Sequence, residues 1–406
     1  MLHRLKILFT VIATCLFAAG GYAAEYPAEP ADTTSESLAS DISAWLVISH
    51  RGPRFISSFG HCSIHMSCPS AGLDNYYTYL VLKNARDVRM FFTYGFSRGF
   101  YTLYKWDEFA ADYIDQHRTI TEYRLNLNTD EVRNLWKNLD REAYNPSSRM
   151  YSFLHSQCAS ISADVISRSL CGEHIVYDNL PPALTGTTRD FALHATELYP
   201  WYQFVFMCLL GREGEQFNKT AEMLSPTLIV PTWKQASIVD TAGHSRPVLT
   251  DEEREMYKGD FTHVTPNPFT PVIAFALVLA LIVILTLMER LGKCHRCAAV
   301  VDGVLLGMLT LVGCLITYLC FFSQATWGPG NALLPVFNPL PFVLWLILRR
   351  KRCFRWLCAA YTAVIAVMMV AAAFIPQLGA GHVMLFAIFL VRAANRTFPM
   401  NKPTNK

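Results

Sequence analysis

The sequence predicts an exported α+β domain followed by an all-α membrane domain of about five transmembrane helices. Three observations lead there. The formal net charge of +3 conceals two opposed halves: residues 25–267 hold 21 Lys and Arg against 30 Asp and Glu, whereas residues 268–406 hold 12 against 2. Such asymmetry marks two environments rather than one globule. The N-terminus carries Arg4 and Lys6, an apolar stretch over 7–19 and small residues at Gly21 and Ala23, the pattern of a secretory signal cut after Ala23. From Pro271 onward the chain becomes five apolar runs separated by short loops.

Taken in order, residues 1–23 read as the signal peptide and 24–40, rich in Pro, Ser, Thr and acids, as a linker. Residues 41–267 form the exported domain, long enough for a core of its own. Within it, residues 62–66 and 76–82 alternate as a strand pair joined by a loop containing Pro and Gly. Val132, Leu135, Trp136 and Leu139 make an i, i+3, i+4, i+7 stripe, so 128–141 is an amphipathic helix with Thr129 as its cap. Ile161, Val165, Ile166 and Leu170 mark a second helix. Residues 268–395 are the membrane domain and 396–406 a cytosolic tail.

The runs 271–288, 298–322 and 354–375 reach the roughly 20 residues a spanning helix needs. The run 333–348 is broken at Asn338-Pro339-Leu340-Pro341, and the last is short unless it begins near Leu378. Every Lys and Arg of this half falls in 289–298, 349–355 or beyond 391, and none in 323–332 or 376–381. Basic loops stay cytosolic, so the N-terminal domain faces outward, in agreement with the signal peptide. Gly303-x-x-x-Gly307 reads as close helix packing. Five helices with scarcely any buried charge do not suggest a transport path. The acidic exported half argues against nucleic acid as a partner, and 52% hydrophobic content argues against disorder.

Five cysteines fall in the exported domain: Cys62, Cys68, Cys158, Cys171 and Cys208. An odd number leaves at least one thiol unpaired. If Cys158 is that thiol, the other four allow three disulfide pairings. Cys294 and Cys297 are too few ligands for zinc, and neither a metal nor a cofactor is expected.

Two segments could carry chemistry. Gly60-His61 leads into a strand and places an imidazole on a sheet rim. Cys158 falls in the first turn of a helix, where free N–H groups and the macrodipole favour a thiolate. A thiolate opposite an imidazole is the arrangement of cysteine nucleophilic catalysis. On residue types alone, a cysteine at a helix start is more often a small buried side chain. His65 lies too far along the strand to orient His61, at about 13 Å. Asn75, Tyr76, Tyr77 and Tyr79 on the neighbouring strand are available for that task, and His155 is an alternative base.

These segments, in this order, resemble the Lnb-type lipoprotein N-acyltransferase family of bacterial membrane enzymes. The resemblance rests on Phe59-Gly60-His61, Asn75-Tyr76, Arg118, Tyr151 seven residues before Cys158, Thr188-Arg189-Asp190, Pro200-Trp201, Leu209-Leu210-Gly211, Asn331-Ala332-Leu333-Leu334 and Asn338-Pro339-Leu340. It covers roughly residues 55–345. It implies a permuted papain-like, LRAT-like exported domain with His61 as base and Cys158 as nucleophile. Asn75, Tyr76, Arg118, Tyr151, Gln157, Asn331 and Asn338 would bind substrate.

The implied reaction moves an acyl chain from a phospholipid, through a Cys158 thioester, to the α-amine of a diacylated lipoprotein at the inner membrane. Ser156-Gln157 stands where the family has Asp-Asn, and no acid follows Asn75-Tyr76-Tyr77. Gln157 still offers an amide. The alternatives are a membrane-anchored cysteine hydrolase (lipase, amidase or peptidase) and a catalytically lapsed envelope assembly module. Asn331 and Asn338 have two readings, a lipid-headgroup pocket or the satisfaction of broken helix ends.

Overall fold

The computed structural model describes residues 41–397 except 55, 82–84, 145–148, 153–155, 178–179, 181–184, 217–224, 262–267 and 349–352. The signal segment, the linker, His155 and residues 398–406 lie outside the described residues. The chain divides into two units. Among the described residues, one holds those from 41 to 199 together with those from 215 to 261, and the other holds Pro200–Gly214 together with those from 268 onward.

The first unit is built on an antiparallel sheet. Its elements in chain order begin with β1 (Ser43–Ser49), β2 (His61–Cys68), β3 (Leu73–Val81), α1 (Ala85–Tyr94), β4 (Ser97–Tyr104) and α2 (Trp106–Asp115). There follow β5 (Ile120–Leu125), α3 (Thr129–Tyr144), β6 (Arg149–Tyr151), α4 (Cys158–Ser167), β7 (His174–Tyr177) and α5 (Thr188–Ala195). After α6 (Pro200–Leu209), which belongs to the other unit, come α7 (Ile229–Trp233), β8 (Ala236–Val239), β9 (Ser245–Pro247) and β10 (Leu249–Tyr257).

Seven strands run in the order β10-β5-β1-β2-β3-β4-β6, and β7-β8-β9 form a smaller sheet. β1 and β2 are central; β1 is apolar on both faces, whereas the apolar residues of β2 all face one way. Strand alternation sends Cys62, Ile64, Met66 and Tyr77 into one core with Val132, Leu135 and Leu139 of α3 and Ile161, Val165 and Ile166 of α4. It sends Val47 and Tyr76 to the opposite face, against Phe109 and Ala110 of α2. The stripe predicted for α3 is therefore its buried face. Its cap is Asn128 rather than Thr129: Asn128 Oδ1 accepts the N–H groups of Asp130 and Glu131, both at 3.0 Å. An Asn cap holds those two orphan amides one residue earlier than the pattern suggested.

The second unit comprises α6 and five further helices: α8 (Pro271–Arg290), α9 (His295–Phe321), α10 (Leu340–Leu348), α11 (Phe354–Ala371) and α12 (Ala380–Thr397). Among the described residues, α8, α9 and α11 are long and apolar enough to cross a membrane. Thr270 caps α8 and Pro271 opens it. α10 is shorter than its apolar run because Asn338 and Pro339 end the irregular segment before it. Nine residues of helix span only about 13 Å.

Contrary to the sequence reading, the helices bury charge. Arg392 donates to Glu289 at 2.9 Å and to Asp302 at 2.6 Å, and Arg396 pairs with the same two carboxylates. Two cations face two anions, so the cluster is neutral, and it joins the ends of α8 and α12 to the first turns of α9. Burying charge without such pairing would be costly.

Candidate active site

Gly60 begins the site. Its φ of +75° and a virtual Cβ 3.1 Å from the Ser49 carbonyl leave room for glycine only. The turn delivers His61 as the first residue of β2. His61 Nε2 lies 2.7 Å from Thr78 Oγ1 on β3, and Ser63 donates to the same hydroxyl oxygen at 3.0 Å. The His61 ring is thus held from β3, by Thr78 rather than by Asn75, Tyr76, Tyr77 or Tyr79. His65 takes no part. Its Nε2 lies 2.7 Å from Asp74, its Nδ1 2.9 Å from the buried Glu122, and its ring stacks on Tyr76 at 4.2 Å.

Cys158 is the first residue of α4 and only 6% exposed. A short bridge between Ser152 and Ser156 closes the chain just before it. The Gln157 N–H donates to Ser160 Oγ at 2.9 Å, which fixes the helix start. Cys158 Sγ receives the backbone N–H groups of Cys62 and Ala159. The first of these follows His61 directly, so the thiol sits at the His61 end of β2. Gln157 is buried, and its Nε2 has no hydrogen-bond partner. A buried amide donor left unpaired costs stability, and this one belongs to the residue directly before Cys158.

Arg118 is buried beneath the same end. It donates to the carbonyls of His50 at 2.7 Å and Ser49 at 3.2 Å, and its guanidinium lies over the Tyr113 ring at 4.8 Å. Gly52 makes space for it, since a Cβ there would meet the Arg118 side chain at 2.6 Å. Among the described residues no carboxylate pairs with Arg118. Its field, together with the two N–H groups, stabilises a Cys158 thiolate. Tyr151 stacks near Tyr79 at 6.2 Å, and burial above all, then the charge of a Cys158 thiolate, pushes the pKa of its hydroxyl up.

Burial outweighs these stabilising groups. It pushes the Cys158 thiol up to about 11, whereas the helix start alone suggests a thiolate. The resting sulfur is a neutral thiol that needs a base. Alkylation of Cys158 by iodoacetamide is therefore expected to climb with pH up to about 11. A plateau at roughly 8.5, the ordinary thiol range, would contradict the buried environment.

The fold gathers Cys158, His61, Arg118, Tyr151 and Gln157, and adds Thr78. It does not bring Asn75 and Tyr76 to them. Asn75 pairs with Met66, five residues along β2 from His61, which is about 17 Å at the usual rise. Asn75 Oδ1 accepts from Lys105 at 2.7 Å, while Tyr76 shares the sheet face of Thr78 and His61 but lies further along the strand, opposite His65 and against Phe109. The exported cysteines are all free, Cys208 among them in the second unit, so no disulfide forms among the described residues. No metal-holding group of His, Cys, Asp and Glu occurs among them either.

Asn331 and Asn338 also belong to the second unit, where both satisfy backbone. Asn331 Nδ2 donates to the Cys208 carbonyl at 2.8 Å, at the end of α6. Gln377, which sequence reasoning passed over, donates to the Met207 carbonyl at 2.9 Å and to Asn331 Oδ1 at 3.0 Å. Asn338 Oδ1 accepts from the Leu340 N–H at 3.1 Å and starts α10.

Residues 29–180 match the family model of the Lnb N-terminal periplasmic domain, and residues 263–402 match that of the Lnb transmembrane domain. Together the two matches span well over half of the chain. No curated protein and no solved structure matches it.

Proposed function

Because the chain belongs to the Lnb family, as a periplasmic sheet-and-helix domain followed by a helical domain of the inner membrane, we propose that it is a lipoprotein N-acyltransferase. In this reading the membrane part crosses five times, α10 completing one crossing together with the irregular segment before it. The exported domain is a permuted papain-like fold, in which histidine on a strand precedes cysteine on a helix. The observation that carries the proposal is the Cys158 thiol at a helix start, held by the Cys62 N–H directly after His61 and flanked by the unpaired Gln157 amide.

The steps follow from those groups. Thr78 Oγ1 has a second lone pair free to accept from His61 Nε2–H, which leaves Nδ1 unprotonated. Nδ1 takes the Cys158 proton as sulfur attacks an ester carbonyl of the phospholipid. The tetrahedral oxyanion is met by Gln157 Nε2–H and the positive end of α4. Collapse breaks the ester C–O bond, and the departing lyso-phospholipid hydroxyl receives the proton from His61. The lipoprotein α-amine then attacks the thioester and gives its proton to His61. The amide forms, and the Cys158 thiolate leaves and is reprotonated. Arg118, a buried cation that pairs with no carboxylate among the described residues, favours the anionic states of both halves.

Mass spectrometry of lipoprotein N-termini tests the reading. Cells with the Cys158→Ala protein are expected to accumulate diacylated forms, and unchanged triacyl populations would refute the acceptor. Release of free fatty acid by the purified protein would instead identify a hydrolase. Gln157→Ala is expected to lower kcat by about 10²–10³ while leaving alkylation of Cys158 intact. An unchanged kcat would remove Gln157 from the oxyanion site.

A further inference from the structure

Within the membrane unit, α9, α10, α11 and α12 enclose a cavity of about 690 Å³, inside the usual range for ligand sites. Its walls are apolar and include Leu306, Trp345, Leu357 and Phe389. Gly303 and Gly307 line it on α9, and no atom lies within 4 Å of where their Cβ atoms would be. The sequence reading took this pair for helix packing. The structure gives the opposite role: the two glycines keep space open.

One end of the cavity is polar. Asp302, Arg392 and Arg396 line it there. The positive-inside pattern of the sequence makes this end cytosolic: α8 follows the periplasmic domain in the chain and ends at Glu289 and Arg290, which bond to Arg392 and Asn395. The Arg392 side chain is 5% exposed and spent on Glu289 and Asp302; Arg396 pairs with the same two carboxylates, but it keeps 39% exposure at the mouth and those bonds use three of its five N–H groups. Arg296 and Arg355 stand exposed in the first turns of α9 and α11, adding positive charge where the cytosolic leaflet carries anionic headgroups. Phe342 and Trp345 are only half-buried, so a lipid chain can enter from the bilayer side.

We propose that this cavity binds one phospholipid of the cytosolic leaflet, with an acyl chain along Gly303 and Gly307 and its phosphate at Arg396. The site is separate from the chemistry proposed for Cys158, which takes its lipid from the outer leaflet. Binding here involves no bond making or breaking, so it stands or falls independently of acyl transfer.

The test uses the full-length protein in vesicles of phosphatidylethanolamine and phosphatidylglycerol, with a trace of phosphatidylglycerol bearing a mid-chain diazirine. Photolysis and peptide mapping are expected to label the stretches around Leu306 and Tyr361 in the wild-type chain. Gly307→Leu, which fills the cavity, is expected to cut that labelling about tenfold, and Arg396→Gln to weaken the preference for phosphatidylglycerol over a phosphatidylethanolamine probe. Labelling spread evenly over all the helices would overturn the proposal. So would labelling that Gly307→Leu leaves unchanged, or crosslinks showing the cavity filled by a second copy of the chain. The wild-type map does not depend on how the variants fold.

Discussion

Replacing Cys158 with alanine is expected to abolish the acyl-enzyme and to lower acyl transfer by about 10⁴-fold or more, as loss of a nucleophile does in enzymes that act through one. Intact-mass measurement after incubation with phospholipid should show the wild-type chain heavier by one acyl group and the variant unshifted. The substitution trades a buried thiol for a methyl group. Its effect on stability should therefore be small, and melting curves of the two proteins should nearly coincide. A variant that still gains the acyl mass would place the nucleophile elsewhere. A variant that loses transfer together with its melting transition would point to a packing role for Cys158.

His61→Ala should cost about 10²–10⁴-fold, the usual range for a general base, and should also change the pH dependence. With the base gone, reaction has to wait for sulfur ionised by water alone. The thiol ionises at about 11, so below that the thiolate fraction and the residual rate should rise about tenfold per pH unit. The wild-type rate should be far less steep near neutrality, because His61 supplies the acceptor. Equal slopes in the two proteins would mean that His61 does not take the proton. Thr78→Val should fall between them, since the base remains but nothing holds its far nitrogen.

Some of this was legible in the sequence because it rests on local periodicity. The α3 stripe, the β2–β3 pair and the long apolar runs are set by residues close together in the chain. Thr78 was missed although its neighbours were considered. Choosing among Asn75 to Tyr79 requires the register of β3 on β2, which depends on both strands and on the turn at Gly72. Asn75 and Tyr76 failed for the same reason, since strand direction carries them to the far end of the sheet. The neutral state of Cys158 was hidden because burial is a tertiary quantity, whereas a helix start is a local one. Gly303 and Gly307 fit two opposite roles at one spacing, and only neighbouring helices decide between them. Ten residues of α6 are too few to register as a membrane segment, and nothing local ties them to Asn331 and Gln377.

The placement of α6 has a consequence for how the protein is made. The Cys208 carbonyl waits for an amide 123 positions later, and the Met207 carbonyl for one 170 positions later. At ordinary synthesis rates that delay is on the order of ten seconds. The emerging periplasmic unit does not have to wait with it. Arg189 pairs with Glu215 at 2.7 Å, and the Thr188 N–H donates to the Gln216 carbonyl at 3.0 Å. These two contacts clasp the chain on either side of residues 200–214. They allow that segment to be set aside, already translated, until the helices that finish it arrive.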